Sequence, residues 1–224
     1  MKRFLVGLLA ALALAAPATS AAKGGTYVCT GTIRLGPLFG QYTPSTIDAN
    51  VFVPAGATCA LYVTTVTGNV NVQGTLLGFG NTFQKNVVVD GGQVFFPICL
   101  SGLCGGLPQN HVLGNTIVND ASGSISLSAQ LDGNVIVNGV AGDVLMIFAG
   151  AHGNKVLLSG VTGDAIVQAS FIDGNLSLIG NGPGQSDVVN AIIAGTLDCE
   201  ADDPAPAVFG VTAGDRRGQC ADEV

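Results

Sequence analysis

The chain has 224 residues, a formal net charge of −7 and 48% hydrophobic residues, with 33 glycines and no tryptophan. Its length allows one domain with a continuous core. Its acidity argues against nucleic acid as a partner, because a negative surface repels phosphate backbones.

Residues 1–22 have the features of a secretion signal. Lys2 and Arg3 come first, residues 4–16 are apolar, and residues 18–22 are small enough for cleavage. Removing this segment leaves six basic against 15 acidic residues, a formal charge of −9. The sequence contains no second apolar span, so we expect a secreted, extracellular or cell-surface protein with no transmembrane segment in the mature chain.

The mature chain divides into a predicted N-terminal cap (23–54), a repetitive body (55–199) and a C-terminal tail or cap (200–224). The repeat is interrupted at 97–109, where glycine and proline favour a loop. Loops that leave a solenoid often bind its partners, although a lid over the flank is the alternative. The predicted partner-contact residues of this loop are Ile98, Leu100, Leu103 and Leu107.

One short phrase recurs through the body: a glycine, a small polar residue, then alternating apolar positions. From Gly114 to Gly195 the glycines of successive phrases are separated by 9, 10, 9, 11, 10, 11 and 21 residues. A period near 10 within one near 20 is typical of a solenoid whose coils each contribute two short strands. We therefore predict an all-β fold, a single right-handed parallel β-helix with coils of about 20–21 residues and disulfide-stapled ends.

The same spacing predicts which side chains share the interior. Alternating residues face inward, and residues one coil apart stack in files. The glycine of each phrase is expected to supply a positive φ at a corner, and the following Asn or Asp to bond between coils. The predicted files contain Val135, Leu176 and Leu197, and Ile125, Val144 and Ala165.

Six cysteines in an exported chain predict three disulfides, although six allow 15 connectivities. Proximity in the sequence favours Cys29–Cys59, Cys99–Cys104 and Cys199–Cys220. The cysteines lack the two-residue spacing of zinc sites, and His111 and His152 lie far from them in the sequence. We expect no metal and no cofactor.

A catalytic alternative involves Asp143, Asp164 and Lys155. Polysaccharide lyases built on β-helices need carboxylates for calcium and a basic residue, and two aspartates 21 residues apart can stack on neighbouring coils. Corner chemistry explains both aspartates equally well, and a local bulge would turn Lys155 outward. His152, beside a corner glycine, is expected to be a solvated turn residue.

The ends of the mature chain carry a further pattern. Cys29-Thr30-Gly31 opens it, Gly-Asn-Val repeats follow, and Gly218-Gln219-Cys220 lies near its end. In these features the chain resembles a group of exported bacterial β-solenoid proteins. The resemblance implies the fold and the two terminal disulfides, and it supplies no catalytic residues.

These observations predict a non-enzymatic exported protein with a structural or cell-surface interaction role. The alternative is a polysaccharide lyase or glycoside hydrolase that acts on a bacterial or plant polysaccharide. The expected partners are a cell-envelope polysaccharide or further copies of the same chain.

Overall fold

The computed structural model describes residues 24–33, 44–97 and 109–221, and every regular element within them is a β-strand. The strands stack in parallel to form a solenoid of about eight turns. This confirms the predicted parallel β-helix with its stapled ends. The right-handed winding stays a prediction from the crossover rule.

Each turn contributes three strands, one to each of three stacks, which we name faces 1, 2 and 3. Face 1 contains β1 (Thr26–Val28), β4 (Asn50–Val53), β7 (Val70–Val72), β10 (Val87–Asp90), β13 (Thr116–Ala121), β16 (Val135–Val140), β19 (Lys155–Val161) and β22 (Asn175–Ile179). Face 2 contains β2 (Thr32–Ile33), β5 (Thr58–Tyr62), β8 (Thr75–Phe79), β11 (Gln93–Phe96), β14 (Ile125–Leu127), β17 (Val144–Ile147), β20 (Ala165–Gln168), β23 (Ser186–Val189) and β25 (Ala207–Phe209). Face 3 contains β3 (Ser45–Ile47), β6 (Thr64–Val66), β9 (Thr82–Phe83), β12 (Asn110–Val112), β15 (Ala129–Leu131), β18 (Gly150–Ala151) and β21 (Phe171–Ile172).

The two remaining strands run round the corner from face 3 to face 1. They are β24 (Ile192–Glu200) and β26 (Thr212–Gly218). The sequence predicts only two strands per coil because face 3 strands are two or three residues long. A run as short as Gly150–Ala151 cannot show a period of two. The parallel pairing also extends into both segments assigned to caps, from β1 to β26.

The interior files follow the predicted register. Val135 pairs in turn with Val156, Leu176 and Leu197, and Ile125 pairs with Val144 and Ala165. The side chains of both files are buried. Burying one such Val or Leu contributes about 1.5–3 kcal/mol, so the stacked files are the main source of stability.

The phrase glycines are required for a different reason than the one predicted. A Cβ at Gly133 would overlap the carbonyl oxygen of Gly114 on the preceding turn, and a Cβ at Gly153 would overlap that of Gly133. Positive φ angles occur elsewhere in the coil, for example at Gly139 and Gly160. Close approach between turns, and not a left-handed backbone, therefore demands glycine in the phrase.

The residue after the glycine forms the predicted polar ladder. The Oδ1 atom of each asparagine accepts the backbone N–H of the equivalent residue one turn later, at 2.9–3.3 Å. At the last of these steps Asn134 accepts the N–H of Lys155, because one extra residue separates Gly153 from the next inward position. The ladder asparagines are Asn50, Asn69, Asn86, Asn115 and Asn134.

Both ends of the stack are closed by covalent bonds. Cys29–Cys59 and Cys199–Cys220 are formed, with all four side chains buried. For loops of 30 and 21 residues each bond is worth about 3–4 kcal/mol in chain entropy. Cys99 and Cys104 lie outside the described residues.

One interior file also ends in amphipathic side chains. Tyr27 occupies its first position and Arg216 its last, where the guanidinium Nη2 donates to the Val211 carbonyl at 2.7 Å. Polar groups at the outer end keep a terminal coil in contact with water. The C-terminal turn is therefore a cap made from the repeat itself.

Replacing a phrase glycine tests the close approach between turns. Gly133→Ala should lower the free energy of unfolding by about 1–3 kcal/mol, because the new methyl group displaces the backbone of the preceding turn. Urea denaturation of the oxidised protein measures this. Gly31→Ala is the matched control, since a Cβ there meets open space. Equal losses for the two variants would contradict the interpretation.

Candidate functional site

Face 3 carries both histidines of the chain. His111 lies on β12, between Thr82 and Gln130 of the neighbouring turns, and His152 directly follows β18. Asp132 and Asp173 follow β15 and β21, at the corner position that His152 also occupies. One ionisable side chain therefore comes from each of four successive turns.

The four side chains form two pairs. His111 Nε2 lies 2.8 Å from Asp132 Oδ2, and His152 Nδ1 lies 2.8 Å from Asp173 Oδ2. The second pair is the more accessible, at 40% and 45% side-chain exposure. Each carboxylate orients its imidazole and leaves the other ring nitrogen available.

The electrostatics of the row centre on Asp132. Burial raises the pKa of its carboxyl group, but hydrogen bonds from His111 and Gln130 and the charges of His111 and His152 lower it further, so that it lies below the ordinary 3.8. Gln130 Nε2 donates to Asp132 Oδ1 at 3.2 Å. Asp132 therefore interacts with histidines on both neighbouring turns, and the two pairs form one row. We call His111, Asp132, His152 and Asp173 the His–Asp row.

Apolar side chains surround the His–Asp row. Phe171 and Ile192 occupy the outward centre of face 3, and the Phe171 ring centroid lies 6.4 Å from that of His152. Leu113 and Phe148 flank the face at its two corners. These four are among the seven large apolar side chains exposed in the described residues, with 43–51% exposure. Exposed apolar area of this kind marks a contact surface.

The candidates from the sequence occupy other corners. Asp143 and Asp164 stack where face 1 passes to face 2, and Asp143 Oδ1 accepts the Asp164 N–H at 3.0 Å. Asp164 Oδ1 in turn accepts the Gln185 N–H at 2.9 Å. Lys155 is exposed at the start of face 1, where its backbone N–H joins the asparagine ladder. Both carboxylates thus serve the stacking of turns.

The predicted partner loop cannot be placed in the same way. Its residues Ile98, Leu100, Leu103 and Leu107 lie outside the described residues. In 24–33, 44–97 and 109–221, no three His, Cys, Asp or Glu side chains form a group that could hold a metal ion.

An open hollow of about 340 Å³ lies at the N-terminal end, at the corner between faces 3 and 1. Its polar lining includes Asp48, Thr67 and Lys85, and the Thr67 hydroxyl donates to Asp48 Oδ1 at 2.8 Å. It has less chemical variety than the His–Asp row, which combines imidazole, carboxylate, amide and aromatic groups.

Sequence reasoning missed the His–Asp row, although a signal was present. His111, Asp132, His152 and Asp173 are separated by 21, 20 and 21 residues, which is the coil period. Any residues at that spacing stack on one side of a solenoid. His152 is exposed at a corner, as the sequence suggests, but it is also paired.

Comparisons with known proteins do not identify a relative. A scan against protein-family models and searches of curated proteins and of solved structures find no match to this chain. Among the described residues no helix has the length and apolarity needed to span a bilayer. Function is therefore inferred from the residues themselves.

Asp202 combines burial with a perturbed pKa, which can indicate a catalytic acid. Its side chain is 4% exposed, and burial raises the pKa of the carboxyl group despite the hydrogen bond from Asn181. Asp202 Oδ1 accepts the Asn181 N–H at 2.7 Å, whereas Oδ2 is buried without a partner.

The preceding turn explains this arrangement structurally. There Asn181 Oδ1 accepts the Val161 N–H, and its amide Nδ2 donates to the Leu158 carbonyl. Asp202 accepts in the same way one turn later, and its second oxygen lacks the hydrogen that an amide would provide. Asp202 therefore belongs to a corner ladder and not to a catalytic cleft.

Asp202→Asn should stabilise the protein at pH 7, by about 1 kcal/mol, because an amide replaces a buried carboxyl oxygen without a partner. A raised pKa in the folded state means that the fold binds more protons, so wild-type stability falls as the pH rises from about 3.8 through the folded pKa. Urea denaturation at several pH values should show that fall in the wild type and its loss in the variant. Identical pH profiles would refute the assignment.

Asp164→Ala separates a stacking role from a catalytic one. Removing the acceptor of the Gln185 N–H should cost about 1 kcal/mol of folding free energy. Asp164→Asn retains a carbonyl oxygen at that position and should restore most of the loss in thermal or urea unfolding. Equal destabilisation by both substitutions would mean that the negative charge itself is required.

Proposed function

We propose that this chain is an exported, non-enzymatic protein with a structural or cell-surface interaction role, in which the solenoid is the scaffold and face 3 is the contact surface. The observation that carries the proposal is the distribution of polar chemistry. The stacked carboxylates Asp143 and Asp164 accept hydrogen bonds between turns, while imidazoles and exposed aromatic rings lie together on face 3.

Export is supported by the signal-like residues 1–22 and by the two disulfides, which persist in oxidising compartments. The resemblance to exported bacterial β-solenoid proteins supports a bacterial surface as the location. A rod stapled at both ends suits such a place, because closing the ends protects the edges from uncontrolled pairing.

The proposal predicts binding without turnover. The purified oxidised protein should release no unsaturated or reducing-end products from polygalacturonate, alginate or xylan, with or without calcium. It should be retained on isolated envelopes of the producing cell. Phe171→Ser combined with Ile192→Ser should reduce that retention at least tenfold, because it removes apolar contact area from face 3.

Asp187→Asn is the matched control, since Asp187 points outward on face 2. It should leave retention unchanged. Product release that Asp143→Ala and Asp164→Ala abolish would overturn the non-enzymatic assignment. Retention that is equal for the face 3 variant and the control would overturn the assignment of the surface.

A further inference from the structure

The His–Asp row has a symmetry that points to a partner. From the N-terminal end of the stack the four turns carry histidine, aspartate, histidine and aspartate. Read from the opposite end, the order is aspartate, histidine, aspartate and histidine. The row is therefore complementary to its own reverse.

We propose that face 3 is the contact surface between two copies of this chain, which lie antiparallel about a twofold axis passing between the turns of Asp132 and His152. The inference rests on the proposed function, because it names the partner of the same surface. A twofold contact places each residue opposite a different residue of the other copy, and does so twice.

In this arrangement each imidazole faces a carboxylate. The turn of His111 lies opposite the turn of Asp173 in the second copy, and Asp132 lies opposite His152. A parallel arrangement in register would instead place like groups opposite each other, which is unfavourable. A ligand that carries one sign of charge would meet both signs along the row, so the alternation favours a second copy over a uniformly charged polymer.

Apolar groups complete the interface. Phe171 and Ile192 continue the outward centre of face 3 beyond the row, and Leu113 and Phe148 border it. Aromatic and aliphatic side chains at the centre of a contact exclude water and strengthen the polar pairs within it. Covering these side chains explains why an otherwise regular rod exposes them on one side.

The dimensions of face 3 set the expected strength. Its strands are two or three residues long, so the face is about 7–10 Å wide before its corners are added, and turns are spaced about 4.8 Å apart. Such an area falls at the lower end of the range for specific contacts. The association should therefore be weak, with a dissociation constant of micromolar order or higher.

The association should also depend on pH. His111 is faced by Asp132 of the next turn, with Thr82 and Gln130 beside it, and His152 is faced by Asp173, Asp132 and Phe171. Imidazole gains its charge between about pH 8 and 5. Protonation adds attraction to carboxylates of the second copy, so acid should strengthen the contact and salt should weaken it.

Sedimentation of the mature oxidised protein at concentrations from micromolar to submillimolar tests the proposal. We expect a monomer–dimer equilibrium that is stronger at pH 6 than at pH 8 and weaker in high salt. His152→Asp should weaken it at least tenfold, because carboxylates would then face each other across the axis. Asp187→Asn on face 2 is the control and should leave it unchanged.

A double exchange gives the most specific result. Asp132→His combined with His152→Asp keeps opposite charges across the twofold axis, so it should restore the association that His152→Asp loses. Circular dichroism confirms that each variant is folded. A protein that stays monomeric at submillimolar concentration, or a dimer that His152→Asp leaves intact, would overturn the proposal.

The same variants separate this inference from the proposed function. A monomer that binds soluble xylan through face 3, and loses binding in the Phe171→Ser and Ile192→Ser double variant, would assign the surface to a glycan. That outcome would overturn self-association and leave the interaction role standing. Product release from polysaccharides would overturn the interaction role whatever the oligomeric state.

Discussion

Hydrogen bonds between successive turns set the spacing on which the rest of this structure depends. Strand backbones provide most of them, and corner side chains provide the others where the strands end. The asparagines from Asn50 to Asn134 each accept an N–H from the following turn, so the ladder continues where the sheet is interrupted. A corner without such an acceptor would leave a donor unsatisfied in each turn.

This spacing explains the composition of the chain. Turns in hydrogen-bonding contact leave no room for a Cβ at Gly133 or Gly153, so glycine is fixed at those positions. Equal spacing also aligns every third strand, which places Val135, Val156 and Leu176 in one file. Periodicity leaves the outward positions free to vary, and on face 3 they carry the His–Asp row and exposed Phe171 and Ile192.

The sequence predicts the parts of the fold that repeat and misses those that do not show a period. The interior files and the outward position of Lys155 follow from counting residues between glycines. Face 3 escapes prediction because strands such as Gly150–Ala151 are too short to alternate. The His–Asp row follows the coil period, but its four members are scattered over three strands' worth of unrelated residues in each turn. Only the stack makes them neighbours.

The ladder can be measured directly through amide hydrogen exchange of the oxidised protein by nuclear magnetic resonance. The N–H groups of Asn86, Asn115 and Asn134 lie at corners, and each donates to an asparagine side chain of the preceding turn. If these bonds hold the turns together, the three amides should exchange as slowly as strand amides such as that of Val137. Exchange at the rate of an unstructured peptide would contradict the account.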